Sequence, residues 1–321
     1  MEKKEKMLLI INPISGTQSK ERVPGWIDAL LSPCFDTEIR FTEYAGHASL
    51  LAREAVEKKI PYVVSIGGDG TCNEIARSLI HTDTALGIVP LGSGNGLARH
   101  LNIPLDPEQA LQMLATAVVE PIDYCKANEK LFFCTCGMGF DAWVSKKFAE
   151  DKHRGPITYA KKAVEEYLHY KNEIYRIETS DGVIQEKAFI VACGNAAQYG
   201  NNAYIAPRAD VHDGKLNVTI IYPLTPIDVL PVVVELFTKW ISVSPHVKVF
   251  ETKSLTVTRE RSGVMHLDGE PVEMPERIDI SCVKGGLKVM TPGKPPHRSL
   301  IEPIQSLVFD IVDTVKHELD I

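Results

Sequence analysis

Short unbroken apolar runs alternate with amphipathic stretches through residues 7–120. Met7–Ile11, Tyr62–Ile66 and Ala85–Leu91 are continuous and rich in branched aliphatics, the pattern of strands buried on both faces. Asp36–Thr42 reads as a further strand. Between them, Gly25–Leu31, His47–Lys58 and Thr71–His81 have helical character. Glu54 and Lys58 form an i,i+4 pair, and Thr71-Cys72-Asn73-Glu74 has the form of a capping box at a helix start. Strand alternating with helix predicts an α/β domain with a parallel sheet covered on both faces.

The pattern changes near residue 121. Short strand-like segments then dominate: Leu131–Cys136, Tyr175–Thr179, Ala188–Cys193, Leu216–Ile221, Ser254–Val257, Val264–Leu267, Arg277–Ile280 and Leu287–Val289. One long helix, Ile157–Lys171, interrupts them. This predicts a mainly antiparallel β-sandwich as a second domain. The expected division is residues 1–122 for the α/β domain and 123–299 for the sandwich. Thr291–Pro303 reads as a proline-rich linker, and the periodic segment Leu300–Leu319 is expected to return as a helix onto the first domain.

Composition narrows the classes. The chain has 321 residues, 44% apolar and 24% charged, enough for two globular domains. Its net charge of −7 argues against nucleic acid as the main partner. No uninterrupted apolar stretch reaches the length of about 18 residues that a membrane span needs. The N-terminus lacks the pattern of a signal peptide, so a cytoplasmic location is expected. Seven cysteines without metal-ligand spacing read as buried thiols. Cys134 and Cys136 are expected on one face of a single strand.

Three glycine-rich turns follow three strands of the first domain: Asn12-Pro13-Ile14-Ser15-Gly16, Gly67-Gly68-Asp69-Gly70-Thr71 and Gly92-Ser93-Gly94-Asn95-Gly96. Each lies at the end of a parallel strand, where open α/β sheets bind ligands. Glycine lets backbone N–H groups converge on phosphate oxygens, and the helix that follows adds its N-terminal dipole. The P-loop, dinucleotide and protein-kinase signatures are absent.

Gly67-Gly68-Asp69-Gly70-Thr71 with Asn73-Glu74 resembles the signature of the diacylglycerol kinase catalytic-domain family, which includes bacterial diacylglycerol kinases, sphingosine kinases and ceramide kinases. Asn12-Pro13-x-Ser15-Gly16, Thr42 with His47-Ala48, Gly92-Ser93-Gly94-Asn95, Gly139-Phe140-Asp141-Ala142, Asp213-Gly214-Lys215-Leu216 and Asp268-Gly269-Glu270 match its further motifs in order. The resemblance implies an α/β nucleotide domain, a β-sandwich lipid domain and an active site between them. It implies ATP-dependent, Mg²⁺-assisted phosphorylation of a lipid hydroxyl at a membrane surface, the lipid being a diacylglycerol or a sphingoid base. A homodimer is left open.

By that resemblance Asn12, Ser15, Gly16, Thr42, Gly67, Gly68, Gly70, Thr71, Asn73, Glu74, Gly92, Ser93, Gly94 and Asn95 form the ATP site. Phosphoryl transfer rests on positioning and charge neutralisation. Asp69 is expected to orient metal and nucleophile, and Glu270 to act as base or second metal carboxylate. Asp141 aligns with a head-group position, where it would meet an amine or a hydroxyl. Asp213, with the carbonyls of Asp210 and Lys215, corresponds to a structural Mg²⁺ turn. Gly96 follows Asn95 where many bacterial diacylglycerol kinases have Asp, so Gly-Ser-Gly-Asn-Gly-Leu-Ala looks more like the sphingosine kinases. The basic residues between Lys146 and Lys171 are either a solvated helix face or a contact with anionic lipid. Two other readings stand beside this one: a soluble-substrate kinase of the NAD kinase type, and a non-catalytic nucleotide- or lipid-binding protein.

Overall fold

The computed structural model describes residues 4–16, 20–150, 166–167 and 169–293. The expected helix Ile157–Lys171, most of the basic cluster, the proline-rich linker and the returning helix Leu300–Leu319 fall wholly or mainly outside them.

The first lobe is built on β1 (Lys6–Ile11), β2 (Asp36–Phe41), β3 (Tyr62–Gly67) and β4 (Ala85–Pro90), parallel in the order β2-β1-β3-β4. Its helices are α1 (Val23–Leu30), α2 (His47–Glu57), α3 (Asp69–Leu79), α4 (Gly96–His100) and α5 (Pro107–Leu114). α1 packs on α5, and α2 packs on α3. Ile11, Ile66, Val89 and Ile75 are wholly buried in this core, each burial contributing roughly 1.5–3 kcal/mol. That is why the apolar runs are continuous: both faces of the central strands are covered. The short α4 and α5 were not anticipated from the sequence. Pro107 stands at the start of α5, and Asp106 caps it through Gln109 N–H at 2.9 Å.

The second lobe contains β5 (Val118–Ala127), β6 (Lys130–Phe132), β7 (Thr135–Gly139), α6 (Phe140–Glu150), β8 (Glu173–Thr179), β9 (Gly182–Ala188), β10 (Ile190–Gly194), β11 (Leu216–Ile221), α7 (Pro226–Thr238), β12 (Val247–Thr252), β13 (Ser254–Arg259), β14 (Gly263–Leu267), β15 (Glu270–Met274) and β16 (Arg277–Thr291). Six antiparallel strands form one sheet in the order β12-β11-β10-β7-β14-β15. The other sheet continues from the first lobe: β2-β1-β3-β4-β16-β13-β8-β9, with β5 on β16 and β6 on β5.

The junction is covalently and hydrogen-bond continuous. β16 has 15 residues, a span of about 50 Å at roughly 3.3 Å per residue. Its start pairs with β13, as in Thr258↔Arg277, and its end pairs in parallel with β4 at Val289↔Leu86. β5 runs alongside it, with a register shift between Val283 and Leu287. The strand-like segments Arg277–Ile280 and Leu287–Val289 are therefore one strand. Residue 122 falls inside β5, in the middle of a paired strand.

Two other expectations are corrected. Leu131–Cys136 is broken between β6 and β7, so Cys134 packs with the first-lobe core while Cys136 lies in the sandwich core opposite Cys193. The segment Pro226–Thr238 is helical despite Pro231 inside it, stabilised at its start by Thr225 and Asp228.

Candidate active site

All three glycine turns lie together at the carboxyl ends of β1, β3 and β4. Asn12 Nδ2 donates to Thr71 Oγ1 at 2.9 Å, joining the first turn to the second. Asn12 also orders its own turn: its Oδ1 accepts Ile14 N–H and its carbonyl accepts the Ser15 hydroxyl. Gly16 has φ +61, and a Cβ there would run into the Leu91 carbonyl, so the first turn lies against the third. A Cβ on Gly92 would stand 2.7 Å from the Gly68 Cα, so the second and third turns touch through bare backbone.

Asp69 fixes this arrangement. It opens α3, and its carboxylate accepts Asn95 N–H at 2.7 Å and Gly96 N–H at 2.8 Å. Burial raises its pKa above the ordinary carboxylate value, and the amide hydrogen bonds and Arg99 oppose that shift. Asn95 is left-handed at φ 53 and folds back on Gly92: its Oδ1 accepts Gly92 N–H and its Nδ2 donates to Gly92 O. Arg99 Nε donates to Gly94 O at 3.0 Å. The third turn is thus held by side chains. First-turn amides of α3, which have no intrahelical acceptor, point outward from the second turn.

The capping-box expectation is corrected. α3 begins at Asp69 behind the N-cap Gly68, so Thr71 and Glu74 lie inside the helix. Thr71 Oγ1 serves Asn12, and Glu74 Oε1 accepts Gly46 N–H at 3.0 Å at the start of α2. Asn73 is buried, and its Nδ2 has no partner among the described residues. Thr42 sits at the tip of β2, its N–H bonded to Ile11 O. Exposed Ser93 is at the mouth. Lys20, which sequence reasoning missed, follows the first turn and donates to the Ser15 carbonyl.

Glu270 arrives from the other lobe. The turn between β14 and β15 has positive φ at Asp268 (51) and Gly269 (85), the geometry that Asp-Gly favours in a tight hairpin. Asp268 is buried and accepts the N–H groups of Phe133, Cys134 and Thr135 at 2.8, 2.8 and 2.9 Å. Burial raises its pKa, against those three amides. Anchored this way, Glu270 projects toward α3. A Cβ on Gly70 would lie 3.7 Å from Glu270 Oε1, and Arg77 Nη2 is 3.7 Å from Glu270 Oε2. The Glu270 side chain is 54% exposed, so its carboxylate faces open solvent beside the second glycine turn. Arg77, two turns along α3, was not singled out by sequence reasoning.

Asp141 lies deeper, at the first turn of α6. Its Oδ2 accepts the Tyr199 hydroxyl at 2.9 Å and faces His266 Nε2 at 3.1 Å; its Oδ1 accepts Ala142 N–H at 2.7 Å. The loop carrying Tyr199 reaches the third glycine turn, for a Cβ on Gly200 would meet Gly94 Cα at 3.1 Å. The Asp213 turn is elsewhere. Asp213 Oδ1 accepts Lys215 N–H at 2.8 Å, Asp210 accepts from His212, and Lys215 Nζ pairs with Glu251. Buried Asp123 holds this turn to β16 by accepting the N–H groups of Gly214 and Gly285. No cluster of three His, Cys, Asp or Glu side chains suited to a metal occurs among the described residues.

A parallel-sheet lobe whose glycine turns converge, fused to a sandwich that supplies an acidic turn, defines a two-lobed kinase-like protein. The family model "Diacylglycerol kinase catalytic domain" matches residues 6–127, and "YegS C-terminal NAD kinase beta sandwich-like domain" matches residues 134–291. The chain belongs to the diacylglycerol kinase catalytic-domain family and is lipid-kinase-like. A protein of Pseudomonas aeruginosa named "Probable lipid kinase YegS-like" is 29% identical over 91% of this chain and 96% of its own. One of the same name from Pectobacterium atrosepticum is 27% identical over 94% of this chain and 100% of its own. Among solved structures, a diacylglycerol kinase from Bacillus anthracis superposes with TM-score 0.72 at 22% identity, over 91% of this chain and 98% of that one. Yeast NADH kinase superposes at 0.52 with 11% identity, over 96% and 88%. Both likenesses concern the fold.

Proposed function

We propose that the protein transfers the γ-phosphoryl group of ATP to a hydroxyl of a long-chain lipid, a diacylglycerol or a sphingoid base. The observation that carries this reading is the meeting of Glu270 from the sandwich with Gly70 at the start of α3. An anion seated on the α3 amides lies beside a carboxylate delivered by the other lobe.

The triphosphate rests on the second turn, with the first and third turns as walls. Glu270 accepts the proton of the attacking hydroxyl, a contribution worth roughly 10²–10⁴-fold. Positioning carries much of the remainder, because the transition state of phosphoryl transfer is loose. Asp69 acts on metal and nucleophile through the turn it holds, since amides occupy both its oxygens. Mg²⁺ commonly takes one or two carboxylates and completes its shell with phosphate and water; the exposed Glu270 carboxylate beside α3 would be its ligand in the alternative role, in place of acting as base. Bound there, Mg²⁺ supplies charge neutralisation.

A lipid acceptor requires contact with a lipid surface. α7 supports such a contact: Ile227 is 83% exposed and Leu230 71%, with exposed Val234 on the same side and Trp240 just beyond the helix. Apolar helix faces flanked by Trp and Lys, here Lys239, suit the membrane interface. The location in this reading is cytoplasmic with peripheral membrane contact. Among the described residues no helix is long and apolar enough to cross a membrane.

The test is transfer of label from γ-labelled ATP, with Mg²⁺, to mixed micelles of diacylglycerol, sphinganine, ceramide or monoacylglycerol. Label in a lipid, lost in Glu270→Gln, is expected. Transfer to NAD alone, or ATP binding without transfer to any lipid, overturns the proposal.

A further inference from the structure

Glu270 is anchored at its backbone and loose at its head. It opens β15 just after Asp268, which three amides hold. Its side chain stands in solvent, where an unpartnered glutamate rotates among several rotamers. Among the described residues the one cation within 4 Å of its carboxylate is Arg77, with Nη2 3.7 Å from Oε2. Lys146, the basic residue nearest along the hairpin, is taken by Glu273 at 3.0 Å.

Helix geometry brings Arg77 there. Gly70 and Arg77 are seven positions apart on α3, two turns along one face. Long side chains on a helix lean toward its N-terminus, so Arg77 reaches back in the direction of the second glycine turn. Glu270 lies along this face with its oxygens divided: Oε2 faces Arg77, and Oε1 would stand 3.7 Å from a Cβ on Gly70.

Stability does not account for the pair. The two side chains are 36% and 54% exposed, and ion pairs so open to water contribute little to folding. Arg77 Nε is buried with no acceptor among the described residues, which costs the fold. A contact that local energetics does not reward is expected where function sets the geometry.

Resting on the lipid-kinase reading with Glu270 as base, we infer that Arg77 is a positioning residue: it holds Oε2 from the opposite lobe and so presents Oε1 to the acceptor hydroxyl beside Gly70. The hydroxyl proton passes to Oε1 as the acceptor oxygen bonds the γ-phosphorus and the bond from phosphorus to ADP breaks. Arg77 itself touches neither lipid nor nucleotide.

The experiment measures transfer from γ-labelled ATP, with Mg²⁺, in mixed micelles of dioleoylglycerol or of sphinganine, using whichever the wild type labels faster. Arg77→Met, Arg77→Lys, Glu270→Gln and the double variant Arg77→Met with Glu270→Gln are compared. Arg77→Met is expected to lower kcat roughly ten- to a hundredfold, the effect of a misaimed catalytic group, with the KM for ATP and the melting temperature unmoved. Arg77→Lys, which keeps the charge, is expected to recover part of that loss. In the Glu270→Gln background Arg77→Met is expected to cost nothing further, because a residue that acts through Glu270 has nothing left to aim. An unmoved kcat in Arg77→Met, an Arg77→Lys as slow as Arg77→Met, a raised KM for ATP, or the full loss repeated in the Glu270→Gln background overturns the inference while the lipid-kinase reading stands. No transfer by the wild type to either lipid overturns both.

Discussion

Asp69 Oδ2 accepts the backbone N–H of Asn95 at 2.7 Å, so an acidic side chain of the second glycine turn holds the third in place. Asn95 would otherwise be a strained left-handed residue at the end of β4. The carboxylate makes that conformation part of the surface where the three glycine turns meet.

Asp69→Asn should therefore damage structure as well as chemistry. Its amide can offer only one acceptor oxygen where two backbone N–H groups arrive. A stability loss of about 1–3 kcal/mol is expected, with a large drop in ATP affinity. Thermal unfolding with and without ATP measures both; an unchanged melting temperature with unchanged ATP protection removes Asp69 from this role.

Glu270→Gln should behave differently. The side chain is half exposed and its contact with Arg77 is at the surface, so stability should change by less than about 0.5 kcal/mol. Turnover should fall roughly 10²–10⁴-fold while the KM for ATP stays close to that of the wild type. A variant that loses ATP binding and keeps turnover would assign Glu270 to the nucleotide instead.

His100 couples the fold to pH. Its Nδ1 accepts Ala197 N–H at 3.1 Å, a bond the protonated ring cannot make. Burial lowers its pKa from 6.5 to about 4, with Asp210 opposing and His212 reinforcing the shift. The unfolded chain binds this proton below about 6.5 and the folded protein does not. The contribution of the neutral ring is thus complete above about 6.5 and is lost as pH falls toward 4, at a cost of about 1–3 kcal/mol. Denaturant melts across that window should show the slope, and His100→Gln should flatten it. An equal slope in the variant assigns the pH dependence to other groups.

The paired change Ile227→Glu and Leu230→Glu tests the proposed lipid contact of α7. Both positions are exposed, so unfolding should move by no more than about 0.5 kcal/mol. Activity on anionic vesicles should fall about tenfold, with little change on a dispersed short-chain diacylglycerol. Equal losses on both substrates would place the effect in the active site.

The alternation of apolar runs with amphipathic segments was enough to specify the parallel lobe. A strand covered on both faces must be apolar throughout, and a helix beside it must show one apolar side. The glycine turns were legible for a similar local reason: tight strand-to-helix turns and close backbone approach demand residues without Cβ. The expectation of phosphate binding followed from their number and order.

What sequence could not carry was pairing between distant segments. Arg277–Ile280 and Leu287–Val289 look like two strands because the register shift after Val283 interrupts their periodicity, yet they form one strand joining both lobes. Cys134 and Cys136 look alike locally, and the break between β6 and β7 sends them to different cores. Asp69 reads as a free carboxylate until β4 brings the amides of Asn95 and Gly96 against it. His266 lies 125 residues from Asp141, and only the sheet register that sets it opposite Gly137 brings the two into contact. Local composition determines which segments become strands, helices and turns. Which polar groups are free for chemistry is decided by burial and long-range hydrogen bonding, and these exist only once the chain has folded.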